Sequence, residues 1–214
     1  MADGFDDVYV ATRRQLRGVA ESLIAGPQYR VSGTIKLAVR PGGFAGVALP
    51  ISVHGRDLVW LGGGAPLAGP VGAIAVAAGV DANPPEGVYD LADPLPADAV
   101  LDLDVGATEW IHRSHYAGGH ALKQILPECH PVLWPEHFDV AATEDEVNFG
   151  VSAGDDYHAT PYAYVGPWAA RSGPFWNAPF GAMYPLNPSH DVDALTSRIA
   201  DFFQRGLREL SDRS

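Results

Sequence analysis

The sequence predicts an α+β fold in which an antiparallel sheet of two strand meanders is covered by N-terminal, middle and C-terminal helices. Short runs of alternating apolar and polar residues, bounded by turn residues, occur in two groups along the chain. Segments with helical spacing of apolar residues precede, separate and follow these groups. Strands and helices do not alternate regularly, which argues against a doubly wound parallel sheet. A chain of 214 residues suits one globular domain, residues 1–214.

The N-terminal part contains a predicted helix followed by the first meander. The helix is predicted from about Asp6 to Ala25, and the Gly–Pro pair that follows is expected to end it. Residues 29–62 alternate in hydrophobicity and predict about three strands. The uncharged run from Leu58 to Val80 is long enough to span a membrane, but its six glycines and two prolines favour a strand end, a loop and a short helix from about Pro70.

The remaining chain predicts two helices on either side of a second meander. A connection rich in proline and acidic residues, 82–98, leads to a helix with Asp104 as its N-cap and its end near Pro127, with Gly118 and Gly119 as candidates for an interruption. Residues 138–142, 147–152 and 162–165 read as three strands. A last helix starts at Asp191 and carries an apolar stripe of Val192, Leu195, Ile199, Phe202 and Leu210.

Composition limits the classes of partner. The net charge of -12 repels phosphate backbones and anionic lipid, so we expect neither nucleic acid nor a membrane as a partner. The single Cys129 excludes an internal disulfide. Asp3, Asp6 and Asp7 stand where a signal peptide would need positive charge, so we expect a cytoplasmic protein. The oligomeric state does not follow from the sequence.

Motifs that would fix a reaction class are not found. The chain has no GxSxG nucleophile elbow, no P-loop and no GxGxxG fingerprint between a strand and a helix. His112 and His115 share one face of the middle helix but lack the Glu of an HExxH zinc site, so they are expected on the surface. We therefore expect no cofactor and no stoichiometric metal.

Histidines and carboxylates cluster in the segment 133–168. His137 and Asp139 would face the same way on a strand, because side chains alternate with a period of two. Asp155 and His158 lie in the turn between the second and third strands of this meander. An up-and-down meander brings that turn and the segment entering its first strand to one end of the sheet. The catalytic candidates are therefore His137 or His158 as general base, oriented by Asp139 or Asp155.

Aromatic residues are abundant in the same region and beyond it, among stiff Gly/Pro loops that could wall a pocket. The candidate ligand-binding residues are Trp134, Tyr162, Trp176 and Asn177. The favoured function is a small-molecule-binding protein or enzyme with an aromatic pocket lined by His and Asp, and a small-molecule ligand is the candidate partner. One alternative is a metal-dependent enzyme using His137, Asp139 and His158. Another is a non-catalytic protein-interaction module with an acidic surface.

Several motifs also carry a family resemblance. The stretches "YRVSGTIKLAVRPGGFAG", "LWPEHFD", "NFGVSAGDDYHATPYAYVGPW" and "FWNAPFGA", followed by a terminal helix, occur in this order over most of the chain. In these motifs the sequence resembles a protein family of high-GC Gram-positive, actinobacterial organisms, of the domain-of-unknown-function type. The resemblance implies a shared design and names no reaction.

Overall fold

The computed structural model describes residues 3–91 and 94–211, with side chains from residue 7 onward. Two compact units are present: an N-terminal unit of the residues up to His112 together with Leu133–Phe138, and a C-terminal unit of Arg113–Val132 and the residues from Asp139 onward. The predicted α+β class with antiparallel strands and N-terminal, middle and C-terminal helices is confirmed. The single-domain expectation stays a prediction.

The helices and the strands are each numbered in chain order. The helices are α1 (Asp3–Val19), a π-helical turn (Ala20–Ala25), α2 (Gly26–Ser32), α3 (Val71–Ala78), α4 (Val105–Ile125) and α5 (Val192–Ser211). The strands are β1 (Leu37–Arg40), β2 (Gly43–Gly46), β3 (Ile51–His54), β4 (Asp57–Trp60), β5 (Gly63–Pro66), β6 (Ala68–Pro70), β7 (Val100–Asp102), β8 (Val132–Trp134), β9 (Asp139–Glu144), β10 (Val147–Ser152), β11 (Tyr162–Pro167) and β12 (Ala182–Pro185).

The first meander has more strands than the sequence predicts. Strands β1 to β5 pair antiparallel in chain order, and Leu37 of β1 also pairs with Leu133 of β8. Each of these five strands has four residues, and β2 and β5 contain two glycines each. Such short, glycine-rich strands carry little alternation of hydrophobicity, which explains why about three were predicted. The short helix predicted from about Pro70 is confirmed by α3, but the Gly/Pro loop predicted before it is wrong, because that stretch forms β5 and β6.

The N-terminal helical segment continues past its predicted end. In the π-helical turn the Gly26 N–H donates to the Glu21 carbonyl, five residues earlier, and α2 then continues to Ser32. Pro27 lies in the first turn of α2, where its missing N–H breaks no α-helical hydrogen bond. A Cβ on Gly26 would lie 1.9 Å from the Asn83 carbonyl oxygen. The Gly–Pro pair therefore marks a close crossing of two chain segments, and the prediction that it ends the helix is wrong.

The side chain of Gln28 fixes the end of this helical segment to the sheet of the N-terminal unit. Its amide nitrogen donates to the carbonyls of Thr34 (3.0 Å) and Lys36 (2.9 Å). Its amide oxygen accepts from the N–H groups of Val47 (2.7 Å) and Ala48 (2.8 Å). All four hydrogen bonds of a buried amide are therefore made within the unit.

In the C-terminal unit, four strands form the second meander, one more than the sequence predicts, because β12 is added to the three predicted strands. Their order is β12-β11-β10-β9, and every neighbouring pair is antiparallel. One face of this sheet is covered by α5 and by the part of α4 within the unit: Gly206 of α5 lies against Val165 of β11, and Gly118 of α4 lies against Val140 and Val151. The opposite face carries Asp139, Ser152 and Tyr162, which pair with one another across β9, β10 and β11.

Helix α4 begins as predicted, because the Asp104 carboxylate accepts a hydrogen bond from the Ala107 N–H at 2.8 Å. It is not interrupted at Gly118 and Gly119. The helix packs so closely on the sheet that a Cβ on Gly118 would lie 2.7 Å from a Val151 methyl carbon. A Cβ on Gly119 would meet Val140 at 3.9 Å, an ordinary contact.

This difference predicts opposite effects for two neighbouring substitutions. Gly118→Ala should lower the free energy of unfolding by about 1–3 kcal/mol, because the added methyl overpacks the contact with the sheet. Gly119→Ala should raise it by about 1 kcal/mol, because alanine is the better helix former. Urea denaturation of both variants measures the two changes, and equal signs would contradict the described packing.

The apolar stripe of α5 is partly misassigned by the sequence. Leu195 and Ile199 are buried as expected, but Val192, Phe202 and Leu210 are only half-buried. The buried face continues instead through Ala200, Phe203 and Gly206. Phe202 lies beside this face and contacts Phe175 and Tyr184, with ring centroids 5.4 and 5.7 Å apart. No described helix combines the length and hydrophobicity that a membrane crossing requires.

Candidate functional site

The register of the second meander aligns three polar residues at one end of the sheet. Asp139 of β9 pairs with Ser152 of β10, and Ser152 pairs in turn with Tyr162 of β11. Because paired residues of antiparallel strands point to the same face, the three side chains stand side by side. All three residues are buried, with 6%, 4% and 4% of their surface exposed.

The side chain of Tyr164 crosses β10 and forms a hydrogen bond with Asp139. Tyr164 pairs with Gly150, and Gly150 pairs with Ala141, two residues after Asp139. A Cβ on Gly150 would lie 2.5 Å from the Tyr164 hydroxyl and 2.6 Å from its ring carbon Cζ. The bare backbone of Gly150 thus lets the tyrosine ring cross β10, where its hydroxyl donates to Oδ2 of Asp139.

The second tyrosine–aspartate pair lies beside the first. The Tyr162 hydroxyl donates to Oδ2 of Asp155 at 2.5 Å, and the rings of Tyr162 and Tyr164 are 6.3 Å apart. The other oxygen of Asp155 accepts from the backbone N–H groups of Tyr157 (2.8 Å) and His158 (3.0 Å). Asp155 therefore links the turn after β10 to the Tyr162 phenol of β11 by hydrogen bonds. We call Asp139, Asp155, Tyr162 and Tyr164 the Tyr–Asp face.

Further aromatic rings border the Tyr–Asp face. Phe180 contacts Tyr162 and Tyr164, with ring centroids 6.1 and 6.4 Å apart. Tyr157 meets Phe180 edge to face at 5.2 Å and is 49% exposed. The Tyr–Asp face thus lies beside apolar ring surface that solvent can reach.

Electrostatics keep both phenols protonated. The pKa of Tyr164 is raised well above its usual value, first by burial and then by the charge of Asp139 and the hydrogen bond to it. The pKa of Tyr162 is raised by burial, and then by its hydrogen bond to Asp155 and the charge of that carboxylate. A protonated phenol donates once and keeps lone pairs. Phenol and carboxylate oxygens together make the Tyr–Asp face rich in acceptors.

The two candidate histidines lie in different units. His158 belongs to the C-terminal unit, where its ring meets Tyr162 edge to face at 5.7 Å and its Nε2 lies 3.2 Å from the Thr160 hydroxyl. His137 belongs to the N-terminal unit and is exposed. It precedes β9, and Phe138 has a φ of 51° that interrupts strand geometry. The expected alternation of His137 and Asp139 on one strand is therefore wrong, and the convergence of His137 with His158 stays a prediction.

The four ligand-binding candidates differ in their surroundings. Tyr162 lies in the Tyr–Asp face, whereas Trp134 belongs to the N-terminal unit, where the Lys36 ammonium lies 5.7 Å from its ring centroid. Trp176 meets Phe175 edge to face at 5.0 Å. Asn177 donates to the Met183 carbonyl (3.1 Å) and accepts from its N–H (2.8 Å), so its amide extends the pairing of β12.

A cavity of about 590 Å³ occupies another part of the C-terminal unit. It contains no residue of the Tyr–Asp face, and its walls combine apolar side chains with the charged Glu144, Asp145 and Arg171. The lining residues are Ile125, Leu126, Glu144, Asp145, Val147, Phe149, Arg171, Leu207, Leu210 and Ser211. This cavity is a separate place where a small molecule could bind, and experiments must distinguish it from the Tyr–Asp face.

Among residues 3–91 and 94–211, no group of three or more His, Cys, Asp or Glu side chains is arranged to hold a metal ion. Cys129 is a free cysteine whose pKa is raised, chiefly by burial and then by the charge of Glu144. A raised pKa keeps the thiol protonated and makes it a poor nucleophile.

His112 and His115 are buried, with 2% and 1% of their surface exposed, so their expected surface position is wrong. Nε2 of His112 lies 3.0 Å from the Gly55 carbonyl, and its ring packs against Phe44. Burial lowers the pKa of His112 to about 4. At neutral pH His112 is therefore an uncharged core residue.

Sequence reasoning missed a buried glutamate in the N-terminal unit. Glu21 lies in the π-helical turn and is 1% exposed. Arg17 Nε is 3.5 Å from its Oε1. The available signal was a single charge in the otherwise uncharged run from Gly18 to Gln28. Burial raises the pKa of Glu21 to about 7, while Arg17 and the Tyr89 hydroxyl lower it.

Glu21 should make stability depend on pH. Because its pKa rises from 4.5 to about 7 on folding, the stabilisation is complete below pH 4.5 and is lost as pH rises to 7. The wild type should lose roughly 1 kcal/mol per pH unit in this window relative to Glu21→Gln, which cannot titrate. Urea denaturation of both proteins between pH 4.5 and 8 measures the difference. Parallel stability curves would contradict the raised pKa.

Comparisons of this chain with protein-family models, with curated proteins and with solved structures gave no match. The resemblance to the actinobacterial family therefore stays a prediction.

Proposed function

We propose that this protein binds a small organic molecule at the Tyr–Asp face of the C-terminal unit. The observation that carries the proposal is the pair of tyrosine–aspartate hydrogen bonds set side by side at one end of the sheet. The Tyr164–Asp139 hydrogen bond requires a glycine under the Tyr164 ring and involves a buried carboxylate. Burial of a carboxylate is costly, and the hydrogen bond that Asp139 accepts from the Tyr164 phenol offsets part of the cost.

The chemistry of this face favours one class of ligand. Its phenol and carboxylate oxygens accept hydrogen bonds, and the exposed edge of Tyr157 with Phe180 offers a surface for stacking. A planar ring that carries N–H or O–H donors matches both features. His158, beside Tyr162, is the residue we propose as general base if the bound molecule reacts, since an imidazole nitrogen can accept a proton from a bound molecule.

A fragment screen followed by ¹⁵N NMR tests this proposal. Ring compounds with N–H or O–H donors should shift the backbone amide signals of residues 154–160, of Tyr162 and of Phe180. Asp155→Asn should abolish these shifts, because it removes the charge while its side-chain oxygen still accepts from the turn N–H groups. Asp156→Asn, at the exposed neighbouring aspartate, is the matched control and should retain them. Shifts confined to Phe149, Leu207 and the other walls of the 590 Å³ cavity would overturn the proposed site.

A further inference from the structure

The C-terminal unit contains a second candidate ligand site, the 590 Å³ cavity apart from the Tyr–Asp face. It lies between the end of α4, the hairpin of β9 and β10, the loop after β11 and the end of α5. Its volume falls within the range of small-molecule pockets, about 300–1,000 Å³. Six of the described lining residues are apolar: Ile125, Leu126, Val147, Phe149, Leu207 and Leu210. Side chains from several elements can therefore surround one apolar molecule.

The apolar wall reaches from the core of the unit to its surface. Leu126, Val147 and Phe149 are buried, with 5%, 7% and 1% of their surface exposed. Leu207 and Leu210 of α5 are half-buried. These two leucines expose apolar surface that a ligand in the cavity would remove from water, and this burial favours binding. The part of the ligand that enters the cavity should therefore be apolar.

The cavity is also lined by three charged side chains at the surface of the unit. Glu144 and Asp145 belong to the hairpin, and Arg171 belongs to the loop after β11. All three residues are exposed. Neither carboxylate forms an ion pair or a side-chain hydrogen bond with another residue of the described part of the chain. Both carboxylates can therefore contact the head group of a ligand.

The hairpin turn determines which acidic residue reaches the cavity. Glu144 pairs with Val147, so Asp145 and Glu146 are the two residues of the turn, with φ angles of 48° and 61°. Both angles lie in the left-handed region, where such turns favour asparagine, aspartate and glycine. Asp145 lines the cavity, whereas Glu146 does not. The turn therefore carries two neighbouring acids that differ in their access to the cavity.

The charge of the cavity lining favours a cationic ligand. Two carboxylates line the cavity together with one guanidinium, which leaves one negative charge in excess. The net charge of the chain, -12, also attracts cations and repels anions. A molecule with an apolar body and one positive charge matches both the apolar wall and the excess negative charge.

We propose that this cavity is a second binding site, which takes an amphiphilic cation with an apolar body and a single ammonium head. The body occupies the apolar part of the cavity, and the ammonium group lies near Glu144 and Asp145. This site is independent of the Tyr–Asp face, which favours planar rings that carry hydrogen-bond donors.

Three probes with the same alkyl chain test the site: n-octylammonium, 1-octanol and n-octanoate. Titration of each probe into the ¹⁵N-labelled full chain at low ionic strength gives its affinity from the shifts of the backbone amide signals. n-Octylammonium should shift the signals of Leu126, Phe149 and Leu207, and it should bind about fivefold more tightly than n-octanoate. This advantage should shrink at high salt concentration, because charges at the surface are screened.

Substitutions at the charged residues make the result specific. Glu144→Gln and Asp145→Asn should each weaken the binding of n-octylammonium about two- to threefold and leave that of 1-octanol unchanged. Asparagine tolerates a positive φ, so the turn is kept. Arg171→Gln should strengthen the binding of n-octylammonium by a similar factor. Glu146→Gln, at the other residue of the turn, is the matched control and should bind all three probes like the wild type.

Several outcomes would overturn the proposed cation site. One is an affinity for n-octanoate equal to that for n-octylammonium, because the charge of the lining would then have no effect. Another is the absence of shifts at the cavity walls, or shifts at Tyr157 and Phe180 in their place. The third is that neither Glu144→Gln nor Asp145→Asn weakens the binding of n-octylammonium relative to Glu146→Gln.

Discussion

Replacing Phe203 with alanine is expected to lower the free energy of unfolding by about 3–5 kcal/mol. Phe203 is 0% exposed, and its ring meets Phe149 of β10 edge to face at 5.8 Å between centroids. Truncation would leave a cavity between α5 and the sheet, and it would remove the aromatic contact as well. Urea denaturation followed by circular dichroism measures the change.

Phe202→Ala is the matched control on the same helix. Its ring is only half-buried and lies against Phe175 and Tyr184 at the margin of the sheet. We expect a loss of about 1–2 kcal/mol, because less apolar surface returns to water. The helical spacing in the sequence predicts that Phe202 is part of the buried apolar stripe. A larger loss for Phe202→Ala than for Phe203→Ala would contradict the observed orientation of α5.

Gly150→Ala is expected to cost about 3 kcal/mol and to disrupt the Tyr–Asp face. The new methyl would lie 2.5 Å from the Tyr164 hydroxyl, so the ring must move away from Asp139. The cost combines overpacking with the loss of a hydrogen bond to a buried carboxylate. Urea denaturation measures the stability, and the NMR signals of the Tyr164 ring report its displacement.

Tyr164→Phe separates the two contributions to that cost. It removes the hydrogen bond to Asp139 and leaves the ring over Gly150 in place. We expect about 1.5–3 kcal/mol, the usual range for a hydrogen bond to a charged acceptor. If Gly150→Ala proved as stable as the wild type, the Tyr164 ring could not lie where the structure places it.

Much of the fold is predictable because the local signals are strong. The β10 and β11 strands, the Asp104 cap of α4 and the start of α5 near Asp191 all follow from alternation, capping residues and helical spacing. The Asp191 carboxylate accepts from the Ala194 N–H at 2.9 Å, as an N-cap does. Errors arose where a tertiary contact overrides a local signal. Gly26 is the clearest case, because its missing side chain allows the Asn83 carbonyl to approach the helix and does not mark a helix end.

The candidate site is only partly predictable for a similar reason. Asp155, Tyr162 and His158 could be placed at one sheet end from the meander alone. The contact between Tyr164 and Asp139 depends on the register across β10 and on the missing side chain of Gly150, which no short-range pattern reveals. The burial of Glu21 does not follow from the sequence, because the π-helical turn that buries it has no sequence signature.

The proposed function is tested most directly by the affinity with which the wild type and two variants bind the tightest-binding fragment of the screen. Isothermal titration calorimetry should be carried out on the wild type, Asp155→Asn and Asp156→Asn at the same pH and salt concentration. We predict at least a tenfold weaker affinity, about 1.4 kcal/mol, for Asp155→Asn, because the lost charge removes one strong acceptor from the Tyr–Asp face. Asp156→Asn should bind like the wild type. Equal affinities of all three proteins would contradict a ligand site at the Tyr–Asp face.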